Sequence, residues 1–447
     1  MVDVIQSPPD QGESGWSAIL PNRESHPTLD NDIDADYLIV GAGFAGLSVA
    51  RRLMQLDPNA KVVIVEACEV AKGPSGRNSG FMIDLPHVLS SNSYAGALDH
   101  DQNDIRMNRT AIGFAKSMVD EFKLSESVFD LCGKWNAAAT KGGLKHNSSY
   151  STHLDSLNEP YELFSAAQML ELTGSNYYQG GLWTPGTAIF QPVQYITGIA
   201  DALADLPGCE LYEKTPVVSL NKMSDQWIAK TTRGSIRADK VILAVNGLIE
   251  NFGFYEKRLM HINLYASMTR ELTSDEINRL GGLDAWAFTP ADPFGSTLRR
   301  INGAGGHRLL VRNRCTYEPT LRMPDNRLSK IAVDHERSFY SRFPMLKDVT
   351  MAYRWSGRLC LSRNNVWAVG EVAENLFSAC CQNGLGATKG TIAGVVAAEK
   401  ASEKSVDSLI PDFIQQDCPK RLLPEPFMTL GARGYLKFRE FCAGKEL

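Results

Sequence analysis

At 447 residues the chain is too long for one ordinary core, and with 43% hydrophobic and 22% charged residues it can bury two, which excludes a disordered chain. Its 46 Lys and Arg against 51 Asp and Glu, a net charge of −5 without any basic run, argue against a nucleic-acid partner. The nine cysteines form no CxxC pair and read as reduced thiols, no apolar stretch reaches the ~18 residues of a membrane span, and the opening MVDVIQSPPD lacks the features of a signal peptide, so the cytoplasm is the expected compartment.

Residues 1–34 are polar, carry Pro8, Pro9, Pro21 and Pro27, and predict an arm laid over the surface rather than a folding unit. Tyr37-Leu38-Ile39-Val40 predicts a buried strand. Leu47, Ala50, Leu53 and Met54 then recur at helical spacing until Asp57-Pro58 stops the helix, and Val62-Val63-Ile64-Val65 predicts a second strand. Strand, helix and strand in that order make a parallel crossover. From 91 to 170, polar loops and an amphipathic helix bearing Ala111, Phe114, Ala115, Met118 and Phe122 predict an excursion from this first unit. Ile196, Ile199, Ala200 and Leu203 mark a helix after Pro192, followed by short strands at 217–220, 227–231 and 235–237 and a buried strand at 240–244. A second excursion over 251–349 is rich in Arg and Gly, and the chain closes on a strand at 366–369 and a helix at 387–401.

The strongest motif is Gly41-Ala42-Gly43-Phe44-Ala45-Gly46, directly after a strand and opening a helix. Gly41 permits the tight turn, Gly43 lets backbone approach a pyrophosphate, and Gly46 lets helix and strand pack closely, so the helix amino end faces the phosphates. Glu66, followed by Ala67, ends the second strand, where a carboxylate accepts ribose hydroxyls. Together these predict a dinucleotide site. Just beyond lies Gly73-Pro74-Ser75-Gly76-Arg77-Asn78-Ser79-Gly80, whose small residues, backbone donors and one cation suit a pyrophosphate and a flavin ring, FAD rather than NAD. A plain polar turn is the competing reading of that segment.

Near the other end, Asn383-Gly384-Leu385-Gly386-Ala387-Thr388-Lys389-Gly390 leads into the last helix. A glycine turn into a helix gathers free N–H groups at the positive end of the dipole, where the anionic charge of a reduced flavin is stabilised. Lys389 adds a cation there, unless it is a solvated residue on the outer face.

In order, Asp36–Gly46, Glu66, Ser75–Gly80, Lys240–Asn246, Tyr353–Gly357 and Gly384–Gly394 resemble the D-amino-acid-oxidase-like (DAO) family of FAD-dependent oxidoreductases across residues 16–440, with the nearest likeness in its gamma-glutamylputrescine oxidase branch. The resemblance implies an α/β, Rossmann-like FAD domain drawn from 35–90, 171–250 and 350–404, and a substrate domain on an antiparallel sheet from 91–170 and 251–349. The arm 1–34 and a C-terminal segment 405–447 complete the chain. It implies hydride transfer from a carbon next to nitrogen to flavin N5. It further implies that Gly41, Gly43, Phe44, Ala45 and Gly46 face the pyrophosphate, Glu66 and Ala67 the adenosine ribose, Val217 the adenine, Ala244 and Ser75 to Gly80 the cofactor, and Gly384 to Lys389 the flavin pyrimidine. Sarcosine oxidases of the family tether flavin through a cysteine that aligns with Tyr353, so noncovalent FAD is expected, although Cys360, Cys380 and Cys381 lie close in sequence.

For the substrate side, Tyr353 and Trp355 are candidates for an aromatic wall near an amine, with core packing as the alternative. Met82 and Asp84 follow the Ser75–Gly80 motif; Asp84 hints at a cationic substrate group or else serves a turn. Arg299, Arg300, Arg312 and Arg314 can bind a carboxylate or form a solvated sheet face. The eight histidines show no ligand spacing, so no metal is expected. The expected activity is oxidation of a C–N bond in a small amine or amino acid with O2 as acceptor. The rivals are a dehydrogenase feeding a quinone or carrier, and a flavin-binding subunit without turnover.

Overall fold

The computed structural model describes residues 2–7, 10–86, 97–403, 408–410 and 417–447. Pro8 and Pro9, the expected domain boundary at 87–96, and residues 404–407 and 411–416 of the last junction lie outside the described residues.

Apolar runs buried on both faces suit the middle of a parallel sheet. Ile33–Val40 is such a strand, and Leu38 and Ile39 have no exposure at all. It pairs in parallel with Val62–Val65 on one side and Ser235–Leu243 on the other. Cys209–Tyr212 extends the sheet in parallel beyond Val62–Val65, and Leu376–Cys380 also runs parallel to Ser235–Leu243. The complete sheet has nine strands, with an antiparallel ribbon of Ser219–Met223 and Gln226–Lys230 and the arm strand Val2–Asp3 at one edge. The strands expected separately at 235–237 and 240–244 are one strand. Arg237 and Asp239 point to water while Ile236 and Ala238 point inward, and the alternation runs unbroken into the doubly buried Val241–Leu243. The helices Phe44–Leu56 and Gly386–Ser402 pack together on one face of this sheet.

A second, eight-stranded sheet has the order Met351–Ser362, Leu259–Thr269, Arg308–Tyr317, Thr297–Ile301, Trp286–Pro290, Lys134–Ala138, Gly180–Thr184 and Glu162–Ser165. It is antiparallel except where Trp286–Pro290 meets Lys134–Ala138. Gly180–Thr184 and Met351–Ser362, which the chain order assigns to the cofactor half, are hydrogen-bonded into this sheet instead. Each continues an antiparallel ladder whose partner strand comes from an excursion, so pairing overrides sequence neighbourhood.

Register sorts the side chains of this sheet onto two faces. Trp286, Phe288, Leu298, Leu309 and Val311 pack with Leu172, Leu280, Phe339 and Phe343 on one. The other carries Ala266, Met268, Leu310 and Trp355, which share a core with Phe44, Met82, Phe190 and Ala387 from the nine-stranded half. The two sheets therefore meet through a buried face at the glycine-led helices.

Candidate functional site

Gly41 has φ +106°, and a Cβ there would stand 2.7 Å from the Ala244 carbonyl oxygen, so only glycine makes this turn. Ala244 itself donates its N–H to the Val40 carbonyl, in the ladder of the adjacent strand. A Cβ on Gly46 would lie 1.8 Å from the Gly41 carbonyl oxygen, which sets how closely helix Phe44–Leu56 sits on the turn. Gly43 is different: among the described residues a Cβ there would meet only Ser75, at 3.6 Å. The space over Gly43 is open, and the helix start beside it has no capping side chain. Phe44 turns inward onto Phe190 and Tyr195, and the Ala45 backbone lies against the other glycine-led helix.

Glu66 ends the second strand. Its carboxylate accepts the N–H of Ala42 at 3.0 Å and of Cys68 at 3.1 Å, next to exposed Ala67. Desolvation raises its pKa above the usual carboxylate range, against the pull of those N–H donors.

Helix Gly386–Ser402 begins beside the first one. A Cβ on Gly390 would come within 3.2 Å of Phe44 Cβ, and one on Gly394 within 2.3 Å of the Ala45 carbonyl oxygen. Gly384 has φ +91°, Leu385 gives no side-chain cap, and no described residue lies within 4 Å of where a Gly386 Cβ would be. Ala387 is buried, and the buried Thr388 Oγ1 has no hydrogen-bond partner among the described residues. Lys389 departs from both sequence readings. It is neither solvated nor a free cation, because its Nζ pairs with Asp104 Oδ2 at 3.0 Å with both side chains buried.

The Ser75–Gly80 segment is held from behind. Arg77 donates to the carbonyls of Lys72, Gln11, Ser356 and Gly12, so its charge staples the arm to the loop and is not offered to a phosphate. Asn78 closes the turn, donating to the Ser75 carbonyl and accepting the Gly80 N–H. Ser79, Gly80 and Phe190 give their carbonyls to Arg299 Nη1. The Gly76 carbonyl accepts from Ser14.

The arm is more than a surface cover. Trp16 is 1% exposed, donates its indole N–H to the Asn78 carbonyl, and lies under the Arg299 guanidinium at 4.9 Å. The arm can enter so deeply because Gly12 and Gly15 present no Cβ to the Arg354 carbonyl and the Trp355 ring. Polar composition around Trp16 hid this, and a lone Trp among prolines was the one available signal.

Of the substrate candidates, Trp355 is fully buried and donates its indole N–H to the Arg77 carbonyl, so packing claims it. Tyr353 is half-buried, with Arg308 over its ring at 5.8 Å. Met82 is fully buried. Asp84 is 1% exposed and already bound to Arg109 and Thr187, which leaves it no role in meeting a cationic substrate. Arg299 is buried with no carboxylate partner among the described residues, Arg300 bonds Gly281 and Asp284, and Arg314 pairs with Asp334 and Glu440. Val217 is buried, and its carbonyl accepts from Gln6 of the arm. Cys360 and Cys380 bond Asn246 and the Leu243 carbonyl in the sheet core.

Two uncapped helix starts side by side, an open space over Gly43, an acid at the end of the second strand and an orphaned Thr388 hydroxyl fit a dinucleotide carrying a redox ring. The family model described as FAD dependent oxidoreductase (DAO) matches residues 36–400. The chain is 26% identical over 432 residues to gamma-glutamylputrescine oxidoreductase of Escherichia coli, covering 91% of this chain and 93% of that protein. It is 24% identical over 416 residues to the probable oxidoreductase OrdL of Rhizobium meliloti, covering 90% and 91%. Among solved structures, glycine oxidase from Geobacillus kaustophilus matches with a TM-score of 0.69 at 17% identity, over 88% of this chain and 100% of that one, a likeness of fold. No helix among the described residues is long and apolar enough to cross a membrane.

Proposed function

Because the chain belongs to the DAO family of FAD dependent oxidoreductases, with FAD as its cofactor, we propose that it oxidises the carbon–nitrogen bond of a small amine or amino acid. The substrate loses a hydride from carbon and a proton from nitrogen, and water hydrolyses the resulting imine. O2 takes the two electrons and two protons as peroxide. FAD, when bound, supplies the two-electron acceptor that links these halves. The observation that carries this reading is the placement of two uncapped, glycine-led helix starts against a buried face of a second sheet.

In this reading the residues bind and orient. The N–H groups that start helix Phe44–Leu56 would hold the pyrophosphate of FAD and Glu66 its ribose, and those that start helix Gly386–Ser402 would stabilise negative charge on the flavin. Arg77, Asn78 and Trp16 fix the loop that borders the ring. Met268, Leu310 and Trp355 exclude water from the sheet face, which strengthens those interactions. The cofactor half comprises the nine-stranded sheet and its helices, and the substrate half the eight-stranded sheet. The names of the relatives, a glutamylputrescine oxidoreductase and a glycine oxidase, agree with nitrogen-bearing substrates.

The test is anaerobic mixing of the FAD-loaded protein with a panel of amines and amino acids. Bleaching of the flavin absorption by at least one, followed by peroxide on admitting air, is expected. Failure of every compound to bleach it would overturn the reading. Bleaching without peroxide would move the acceptor to a quinone or carrier.

A further inference from the structure

The last long helix, Phe427–Ala443, is fastened to the eight-stranded sheet by one side. Glu440 accepts from Arg314 Nη1 and from the Cys315 N–H on strand Arg308–Tyr317, Arg439 lies over the Phe294 ring at 4.8 Å, and Ala443 is buried. At 3.6 residues per turn these residues share one face with the half-buried Ala432 and Leu436. The opposite face is apolar. Phe427, Leu430, Phe438 and Phe441 are 62–83% exposed there, and no described residue lies within 4 Å of where a Cβ on Gly431 or Gly434 would be.

The spacing of that stripe is symmetric. With Gly434 as origin, Leu430 and Phe438 lie four residues to either side and Phe427 and Phe441 seven, so all four project within about 40° of the Gly434 direction. Such a stripe is its own complement when a second copy runs antiparallel across it. Gly434 then meets Gly434, Leu430 meets Phe438, and Phe427 meets Phe441 about a single two-fold axis. Glycine at the crossing lets the two backbones approach closely, which gives a use to residues that cost an exposed helix about 1 kcal/mol each relative to alanine. The area fits as well. At roughly 200 Å² for a whole side chain of this kind, the four leave on the order of 500 Å² of apolar surface per copy. A pair covers about 1,000 Å², the size at which specific interfaces begin. An anionic membrane surface matches less well, because it selects a row of free Lys and Arg along the polar face. Here Arg439 covers Phe294 on the inner side and Arg433 reaches Glu318 at 3.8 Å.

We propose that the protein pairs with a second copy of itself through antiparallel Phe427–Ala443 helices that cross at Gly434. The pairing joins the copies through their eight-stranded sheets, to which the Arg314–Glu440 ion pair ties each helix. Arg314, whose residue type invited a substrate carboxylate, serves that attachment.

The test is the mass in solution of the full-length, FAD-loaded protein, by sedimentation velocity and light scattering at micromolar concentration. The mass of two chains is expected. Leu430→Glu and Phe438→Lys should each weaken pairing at least about a hundredfold, since each places a charge in the apolar stripe of both copies. Circular dichroism and bound flavin should be unchanged, because both side chains are exposed. Should either variant fail to fold, Gly434→Glu, which sets two carboxylates against each other on the axis, reads the same loss. Mixing the Leu430→Glu and Phe438→Lys proteins sets the new carboxylate opposite the new ammonium at one contact and leaves Leu430 on Phe438 at the other, so the mixture should regain the double mass. A wild-type protein of single-chain mass overturns the proposal, and its flotation with phosphatidylcholine vesicles carrying phosphatidylserine would assign the stripe to a membrane surface. Folded variants that keep the double mass, or a mixture no heavier than its parts, overturn it equally.

Discussion

Lys389 Nζ stands 3.0 Å from Asp104 Oδ2, tying helix Gly386–Ser402 to helix Leu98–Glu121 through an ion pair that water barely reaches. Removing one partner leaves the other charge buried, which costs about 3–5 kcal/mol, whereas replacing both with apolar groups is often nearly neutral. Lys389→Met should therefore lower the melting temperature sharply, and Lys389→Met with Asp104→Leu should recover most of the loss. Because the pair is neutral overall, the double variant should keep FAD and a midpoint potential close to wild type, as thermal melts and potentiometry will show.

The second and third glycines of the first motif should fail differently. Gly46→Ala drives a Cβ into the Gly41 carbonyl, so the expected result is little folded protein. Among the described residues Gly43→Ala meets only Ser75, at 3.6 Å, so the chain should fold and lose FAD. Circular dichroism and the flavin-to-protein absorbance ratio separate the outcomes; a Gly43→Ala protein with full flavin would remove the pyrophosphate from that spot.

These glycines were legible from sequence because their constraint is local: turn, helix and strand all fall within a few dozen residues of one another. Trp16 and the pairing of Lys389 were not. Each depends on what a distant segment brings: the loop near 78 and the helix around Asp104. Asp84 and Arg77 show the converse. Their residue types invited a ligand, but a carboxylate or a guanidinium advertises the need for a partner without saying whether the protein itself supplies it.

Trp16 gives a third prediction. Trp16→Ala empties a fully buried site and frees both the Asn78 carbonyl and the Arg299 guanidinium, so a loss of about 3–5 kcal/mol is expected, with faster release of FAD. Trp16→Phe keeps most of the packing and loses the N–H bond, at about 1 kcal/mol. Denaturant titration and flavin release on dilution measure the two; equal stability of wild type and Trp16→Ala would show the arm to be dispensable.

Acid precipitation should release intact FAD into the supernatant. The thiols nearest in sequence to the family's tether position are poor nucleophiles: burial pushes Cys380 up to about 12, and Cys360, facing Cys381, is raised well above the ordinary thiol range. Flavin retained in the pellet would mean that one of them is a tether.

His335 sets a pH dependence. It is 1% exposed, its Nδ1 lies 2.8 Å from Ser267 Oγ, and desolvation lowers its pKa from 6.5 to about 4. A depressed folded pKa means the unfolded chain binds the proton more readily, so this contribution is complete above pH 6.5 and lost as pH falls toward 4, a span on the order of 3 kcal/mol. Stability of wild type minus that of His335→Gln should narrow across that window; a difference independent of pH would refute the assignment.

The two glycine-led helices that meet at Gly390 and Phe44 lie far apart in the sequence. On the ribosome the first emerges with its strands and must wait for the second until the whole span from Asp57 to Leu385 has been made. Contacts so distant in sequence make for slow folding. If both helices hold FAD, as proposed, the cofactor acts as the last stabilising partner to arrive, drawing the chain into the native state by mass action. Scarcity of FAD during synthesis should show first as poor yield of folded protein, before it shows as poor activity.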